Sequence, residues 1–417
     1  MGTKRIVFIG AAGEMCRLAI ERFAIAGGDW ELALYDIRPE LLASLVHQLP
    51  PGRATAARLD LFDREQLDTA VQGAALVVLG AGPYTRTAGP VMEACLAAKV
   101  PYLDFGDDIE STLHAMSLRE AAREAGVPMY IGCGASPGFT NILAADAAAE
   151  LDTVSDIDMY WVVGDERGAV GRAVLDHMLR VAAGPCMTWE NGGPALHQSW
   201  VETRWTEMGG GLGLTMMHET AHPEPVTLPR QYPDAKNIRC FGGLDPAPYN
   251  GVIRGVGLAV QKGRMSMKEA IDFLEALMTN KGGSIKGFRH VFSGLRSVVR
   301  SGEATWTQVV KFIALAAVGH TFPHRTGLKV EVTGLRNGLP AVVSRRTPVT
   351  GPGTYFLANM AAATGTSCAA FMLVALDEPH GTRAGVFAPE EWADPERVYQ
   401  ALERVGTPRE EIYEVSS

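Results

Sequence analysis

The chain has 417 residues, of which 47% are hydrophobic and 20% charged, and a formal net charge of −9. That length accommodates two domains with substantial cores, and the acidic balance excludes a general electrostatic footprint for nucleic acid. The six cysteines are scattered with no C-x-x-C pair, which argues for reduced thiols, a cytoplasmic setting and no zinc site.

In chain order, "MGTKRIVFIG" is too short in its apolar run for a signal peptide, and it passes directly into a glycine turn. "EMCRLAIERFAIAG" has helical spacing, "WELALYDI" is a second strand, and "PELLASLVHQL" is a helix opened by Pro39. "ATAARLDLF" and "AALVVLGAG" are strands flanking the helix "REQLDTAVQG". The helix "GPVMEACLAAK", strand "PYLDFG", helix "SLREAAREAG" and strand "PMYIGCG" follow. Strands alternating with helices of this length predict an α/β fold with a doubly wound parallel sheet over residues 1–150. From 151 to 352 the elements are longer and mixed, with strands at "DIDMYWVV" and "LKVEVTGL", a hairpin completed by "LPAVVSRRT", and helices at "GRAVLDHMLRVAAG" and "MKEAIDFLEALMTN". This segment is expected to be a second, α+β domain for substrate binding or dimerisation. Residues 353–417 are helical again and are expected to return to the first domain. "GTYFLANMAAATGTSCAAFMLVAL" is long enough to span a membrane, but Asn359, Thr364, Gly365 and Ser367 interrupt it, and a buried helix is the expectation.

"IVFIGAAGEMC" is a strand running into a turn of the kind that holds a dinucleotide pyrophosphate. In such a turn one glycine allows the bend, a second lets backbone approach the phosphates, and a third lets the helix pack on the strand. Gly10 and Gly13 supply the first two, and the small Cys16 stands in for the third. Gly10, Ala12, Gly13, Glu14 and Met15 are therefore assigned to the cofactor. Asp36, at the end of the second strand, can accept the ribose hydroxyls of NAD and repels the 2′-phosphate of NADP, whereas Arg38 favours that phosphate. NAD or NADP is expected, with Asp36 leaning to NAD. Asp60 lies at the end of the third strand, where an adenine edge is held. The same arrangement of glycine loop and acidic residue serves S-adenosylmethionine-dependent methyltransferases, so that reading stays open at this point.

"GAGPYTRTAGPVMEACLAAKVPYLDFGDD", "GCGASPGFTNILAADA" and, near the end, "MAAATGTSCAAFMLVAL" with "AGVFAPEEW" resemble, in the same order, the saccharopine dehydrogenase-like oxidoreductases. The middle is similar more weakly, at "HETAHPEPVTLPR". The resemblance implies an NAD(P)-dependent enzyme that moves a hydride between nicotinamide and a small C=N, C=O or C=C substrate of amino-acid or polyamine kind. The small residues Gly80, Gly82 and Pro83 are then expected to let backbone pass over the nicotinamide ribose, with Tyr84, Thr85 and Arg86 projecting at the carboxyl edge of the sheet, and one of Asp104, Asp107 and Asp108, with Asp104 assigned to the cofactor, to touch that ribose or orient the substrate. Ser136 reads as a helix N-cap and Pro137 as the first helical residue, leaving free amides for an anion or a carbonyl oxygen, with Cys133 beside them. Relatives that form amino acids carry an aspartate where this chain has Ser136.

Hydride transfer asks the protein for a proton donor and a substrate anchor. Tyr84, His218, His222 and His177 are candidate acids. Arg230 is the first candidate for a substrate carboxylate, with Arg254 and Arg325 as rivals. Pro223 and Pro225 argue against a helix carrying His218 and His222 as a metal pair, so no metal is expected. The expected arrangement is a cleft with Tyr84, Cys133 and Ser136 on one wall and His218, His222 or Arg230 on the other. The expected partners are a small-molecule substrate and a second copy in a homodimer, with no nucleic acid and no membrane. A protein that binds NAD(P) without turnover is the remaining alternative.

Overall fold

The computed structural model describes residues 3–164, 171–279, 284–320, 322–348, 351–379 and 381–416. The chain divides into two compact units, Met1–Asp146 with Ala361–Ile412, and Ala147–Met360 with Tyr413–Ser417.

The first unit is built on β1 (Lys4–Ile9), β2 (Trp30–Asp36), β3 (Ala54–Arg58), β4 (Leu76–Leu79), β5 (Tyr102–Asp104) and β6 (Pro128–Tyr130). With a later strand, Gly385–Phe387, they form a seven-stranded sheet in the order Gly385–Phe387, β6, β5, β4, β1, β2, β3. Every adjacent pair is parallel. Ile6, Val7, Phe8, Val77 and Val78 are fully buried, as continuous apolar strands covered on both faces must be. Strand order reverses between β1 and β4, which is where a parallel sheet opens a crevice at its carboxyl edge. The helices include α1 (Glu14–Ile25), α2 (Ala43–Gln48, after a 3₁₀ turn at Pro39–Leu42), α3 (Arg64–Val71), α4 (Tyr84–Ala98), α5 (Ile109–Ser117), α6 (Arg119–Ala125) and α7 (Phe139–Ala148). The helix Met360–Asp377 is long and apolar enough to cross a membrane, yet 72% of it is buried within the protein. Its Gly365 lies so close to α1 that a Cβ there would sit 2.7 Å from both the Met15 carbonyl oxygen and Leu18 Cβ.

The second unit carries a nine-stranded sheet. Its strands are β7 (Thr153–Val163), β8 (Pro185–Glu190), β9 (Gly193–Gln198), β10 (Thr203–Glu207), β11 (Leu214–Glu219), β12 (Asn237–Leu244), β13 (Gly327–Arg336), β14 (Leu339–Arg346) and, last in the chain, Glu414–Ser416. The sheet is mixed: β12 and β7 are parallel, while β13 runs antiparallel to both β7 and β14. The β13–β14 turn at Asn337–Gly338 is the hairpin the sequence predicts, with φ of 52° and 75°. A helical core is made by α8 (Arg172–Ala183), Pro248–Gln261, Met267–Met278, Ile285–Arg300 and Trp306–Ala317, through residues such as Leu179, Val256, Leu274 and Leu295.

Cys16, standing where the third glycine is usual, packs against Gly80. A Cβ on Gly80 would lie 2.6 Å from both Cβ and Sγ of Cys16, which is almost wholly buried. Close packing of α1 on the sheet is thus preserved by a glycine on the opposite turn, not by one within the helix. Gly80→Ala should lower stability by roughly 1–3 kcal/mol through overpacking. Cys16→Gly in the same chain should recover part of that loss, giving a positive coupling in a double-mutant cycle by urea unfolding. Strictly additive effects would show that the two positions do not share one space.

Candidate nucleotide site and a buried network in the second unit

The turn after β1 is closed by backbone. Gly10 has φ +83°, and its N–H and that of Ala11 donate to the Tyr35 carbonyl at 2.8 and 3.0 Å. A Cβ on Gly10 would meet Ala81 N at 2.5 Å, so the first glycine is demanded both by its dihedral and by the neighbouring turn. Gly13 has φ −65° and ψ 141° and precedes the first helical residue, Glu14. A Cβ there would lie 3.4 Å from the Gly10 carbonyl oxygen and 3.7 Å from that of Gly80, room enough for the fold itself. The first turn of α1, with Met15, supplies N–H groups that a helix leaves without an intrahelical acceptor.

Asp36 is buried at the tip of β2. Its Oδ2 accepts the Ala12 N–H at 3.1 Å and its Oδ1 the Arg38 N–H at 3.0 Å. The Arg38 guanidinium is exposed and 4.0 Å from the same carboxylate. Asp60 is half-buried and accepts from Phe62 N–H, while Asp63 caps α3 by accepting from Gln66 N–H at 3.2 Å. After β4, Gly80, Gly82 and Pro83 form the turn into α4. The Thr87 hydroxyl clamps it by donating to the carbonyls of Ala81 and Pro83 at 2.5 and 3.1 Å.

Several expectations are corrected here. Tyr84 does not project from the carboxyl edge. Its ring is buried edge-on to Phe105, against the missing Cβ of Gly106, and its hydroxyl lies 3.4 Å from the Leu79 carbonyl oxygen. Burial, reinforced by the nearby Asp104 and Asp107, pushes the phenol well above its ordinary range. Asp104 is not directed at a ribose. It accepts from Tyr102 O–H at 2.6 Å, Gly132 N–H at 2.8 Å and Gly106 N–H at 3.0 Å, so it ties the ends of β5 and β6 together. Burial raises its carboxyl against the lowering effect of those three donors.

The turn at Ser136 also differs from the expected cap. α7 begins at Phe139, and the N–H groups of Gly138, Phe139 and Thr140 already bond Asn141 Oδ1, Gly134 O and Ala135 O at 2.8–2.9 Å. A capped helix end with spare donors does not form, because the chain folds back on itself: a Cβ at Gly138 would sit 1.9 Å from the Gly134 carbonyl oxygen. Ser136 is half-buried beside it. Cys133 is fully buried, and desolvation holds its thiol protonated. Asn141 in turn donates to Glu390 at 2.7 Å, a pair that sequence reasoning missed although both residues lie in motifs it singled out.

In the second unit, His218 on β11 is fully buried and stacks on Trp200 at 4.7 Å. Arg254 Nη2 approaches its Nδ1 at 2.9 Å and Glu303 Oε2 its Nε2 at 3.2 Å. An arginine only donates, so Nδ1 accepts, and a neutral ring then donates from Nε2 to the carboxylate. Burial lowers the imidazole below its ordinary value, against the pull of Glu303. With both nitrogens engaged, His218 is not a proton donor presented to a substrate. His222 is also buried, with Nδ1 2.6 Å from Glu224. It does not pair with His218 as a metal site. Its ligand atoms, those of Glu224 and the Cys240 thiol lie within 4.8 Å of one another, a buried trio with the donor chemistry to hold a metal. Arg230 ends a 3₁₀ turn, Leu228–Arg230, and is half-buried, as is His177 on α8. Arg254 pairs with Glu303 at 2.9 Å and Arg325 with Asp245 at 3.0 Å, so the rival anchors both have carboxylate partners inside the protein.

Residues 6–129 match the saccharopine dehydrogenase NADP binding domain. The match runs from β1 into β6 and supports the resemblance that the sequence motifs carry, with a nucleotide domain of the nicotinamide-dinucleotide type. A 201-residue stretch is 27% identical to carboxynorspermidine synthase of Vibrio alginolyticus, covering 44% of this chain and 47% of that protein. A 133-residue stretch is 29% identical to trans-acting enoyl reductase of Mycobacterium tuberculosis, covering 31% of this chain and 32% of the other. The chain thus spans less than half the length of these curated relatives. Apo saccharopine dehydrogenase (L-Glu forming) from Saccharomyces cerevisiae superposes over 99% of this chain and 100% of its own, with a TM-score of 0.63 at 14% identity, which shows a shared fold.

The neutral His218 has a pH signature. Its folded-state value lies below the ordinary 6.5, so the unfolded chain binds the extra proton. Its contribution to stability is complete above pH 6.5 and is lost as pH falls below that value towards the folded-state one. Unfolding free energies at about pH 7.5 and 5.5 should therefore fall more steeply for wild type than for His218→Phe, which keeps the stack on Trp200. Equal slopes would mean that His218 does not titrate differently on unfolding.

Proposed function

We propose that this chain is an NAD(P)-dependent oxidoreductase that transfers a hydride between nicotinamide and a small C=N, C=O or C=C substrate. One observation carries the reading: a glycine turn at the strand-order reversal of a parallel sheet, in a segment that matches an NADP-binding domain family from residue 6 to residue 129. The methyltransferase alternative shares the turn but not that match.

The residues fit the cofactor. Gly13 leaves open the approach that a pyrophosphate needs, and the amides of the first turn of α1 are the donors that would meet it. Asp36 would accept a ribose hydroxyl alongside the Ala12 and Arg38 amides that orient it, and Arg38 stands exposed at the same corner. The bound nicotinamide supplies or accepts the hydride. The chain's own contribution at this site is to hold the turn rigid through Gly10, Gly80 and Thr87, so that little rearrangement accompanies binding. The name of one relative, an enoyl reductase, supports reduction of a double bond as the reaction class, and that of the other, a carboxynorspermidine synthase, supports a substrate of polyamine kind.

Gly13→Val should abolish binding of both NAD(H) and NADP(H) while leaving the unfolding midpoint nearly unchanged, since a side chain there blocks the phosphates but not the fold. Fluorescence titration of reduced cofactor reads this directly, and wild-type affinity in the variant would remove the turn from the site. The buried Asp36 carboxylate should make NAD(H) bind more tightly than NADP(H), and Asp36→Ser should narrow or invert that ratio. A wild-type preference for NADP(H) would show that Arg38 governs the choice instead.

A further inference from the structure

The first unit has a small cavity of about 100 Å³ at the amino edge of its sheet, bordered by Lys4, Leu76, Pro101 and Pro128, on the edge opposite the phosphate turn. The second unit has a larger one, of about 420 Å³, which none of His218, His222 or Arg230 lines. That volume falls in the range of small-molecule sites.

Part of its wall is aromatic. Phe312 and Phe322 stack at 4.6 Å, and Tyr249 packs edge-on to both from behind, at 4.9 and 5.4 Å. Leu315, Met216 and Trp205 extend the apolar surface. Four charged side chains line it: Asp245, Arg325, Glu303 and Lys311. Asp245 and Arg325 neutralise each other through paired hydrogen bonds of 3.0 and 3.2 Å. Glu303 is neutralised by Arg254 at 2.9 Å and accepts from His218. Lys311 on Trp306–Ala317 is an exposed part of the lining with no ion-pair partner among the described residues, so the rim carries one positive charge without a carboxylate beside it. A polar group adds a second requirement. His324 is 95% buried, the complement of its 5% exposure, and its Nδ1 lies 3.1 Å from the Phe322 carbonyl oxygen. A carbonyl only accepts, so Nδ1 carries a proton, and Nε2, which accepts when the ring holds that proton alone, has no hydrogen-bond partner among the described residues. That nitrogen is the polar group of the lining left for a ligand donor to meet.

We propose that this cavity binds a medium-sized amphipathic carboxylate: Lys311 pairs with its carboxylate, His324 Nε2 accepts from a hydroxyl or amine on it, and Phe312, Leu315 and Phe322 cover its apolar body. The inference concerns the second unit alone and does not rest on the nucleotide reading. Calorimetric titration of the full chain with octanoate, 3-hydroxyoctanoate and 1-octanol tests it. Wild type should bind octanoate saturably and 3-hydroxyoctanoate more tightly. Lys311→Glu should weaken octanoate about tenfold, equal to about 1.4 kcal/mol, and leave 1-octanol unchanged. His324→Phe should erase the advantage of the hydroxyl compound. Leu315→Trp, which fills the cavity, should abolish binding of all three. Absence of saturable octanoate binding to wild type would overturn the proposal, as would octanoate binding indifferent to both Lys311→Glu and Leu315→Trp. Cofactor titration of the same samples reports on the first unit separately, so failure here leaves the oxidoreductase reading standing and failure there leaves this one.

Discussion

The structure of the first unit depends on how closely the turns after β1 and β4 approach each other. Gly10 admits no Cβ because Ala81 stands 2.5 Å from where it would be, and Gly80 admits none because Cys16 fills the space at 2.6 Å. Two backbones in van der Waals contact at the strand-order reversal leave no side chain to obstruct a ligand lying across them. The loss of one glycine from the usual pattern is therefore no loss of close packing at the turn. The steric requirement is a property of the pair of turns, and either partner can meet it.

Buried carboxylates are used here chiefly to fasten backbone. Asp36 joins the glycine turn after β1 to the end of β2, and Asp104 joins the ends of β5 and β6 through two amides and a tyrosine hydroxyl. Each amide bonded in this way would otherwise be an unsatisfied donor in a region of low dielectric. The second unit applies the same economy to a base: His218 is kept neutral between an arginine that donates to it and a glutamate that accepts from it. Such groups look reactive in a sequence because type and position are visible there, while occupancy of their hydrogen-bonding capacity is not.

That distinction accounts for what the sequence shows and what it hides. β1, β4 and β6 are legible because strands buried on both faces are uninterrupted apolar runs. Gly10, Gly13 and Asp36 are legible because the turn imposes a residue type at each place. The helices Pro248–Gln261 and Ile285–Arg300 are not, because their glycines lower helix propensity. In the fold those glycines are the crossing point: a Cβ on Gly294 would lie 1.9 Å from the Gly251 carbonyl oxygen, and one on Gly255 2.1 Å from that of His290. The strand Thr203–Glu207 escapes notice since its residues are polar and largely exposed, and pairing with β11 alone defines it. Ser136 reads as a helix cap by local rules, and a longer-range backbone contact at Gly134 overrides them. The cavity around His324 draws its walls from segments between residues 162 and 325, a convergence with no local signature.

The nucleotide unit is discontinuous in the chain, with some two hundred residues intervening before Ala361 resumes it. During synthesis the ribosome therefore releases six of its seven strands long before the seventh, Gly385–Phe387, exists to pair with β6. Until then the edge of β6 offers unpaired backbone groups, and α1 lacks the helix whose Gly365 seats against it. The second unit has most of its own sheet in hand during that interval and can fold first. In a nascent chain of this protein the edge of β6 therefore stays without its partner until most of the sequence has been made, and an unpaired strand edge is the kind of surface on which aggregation starts.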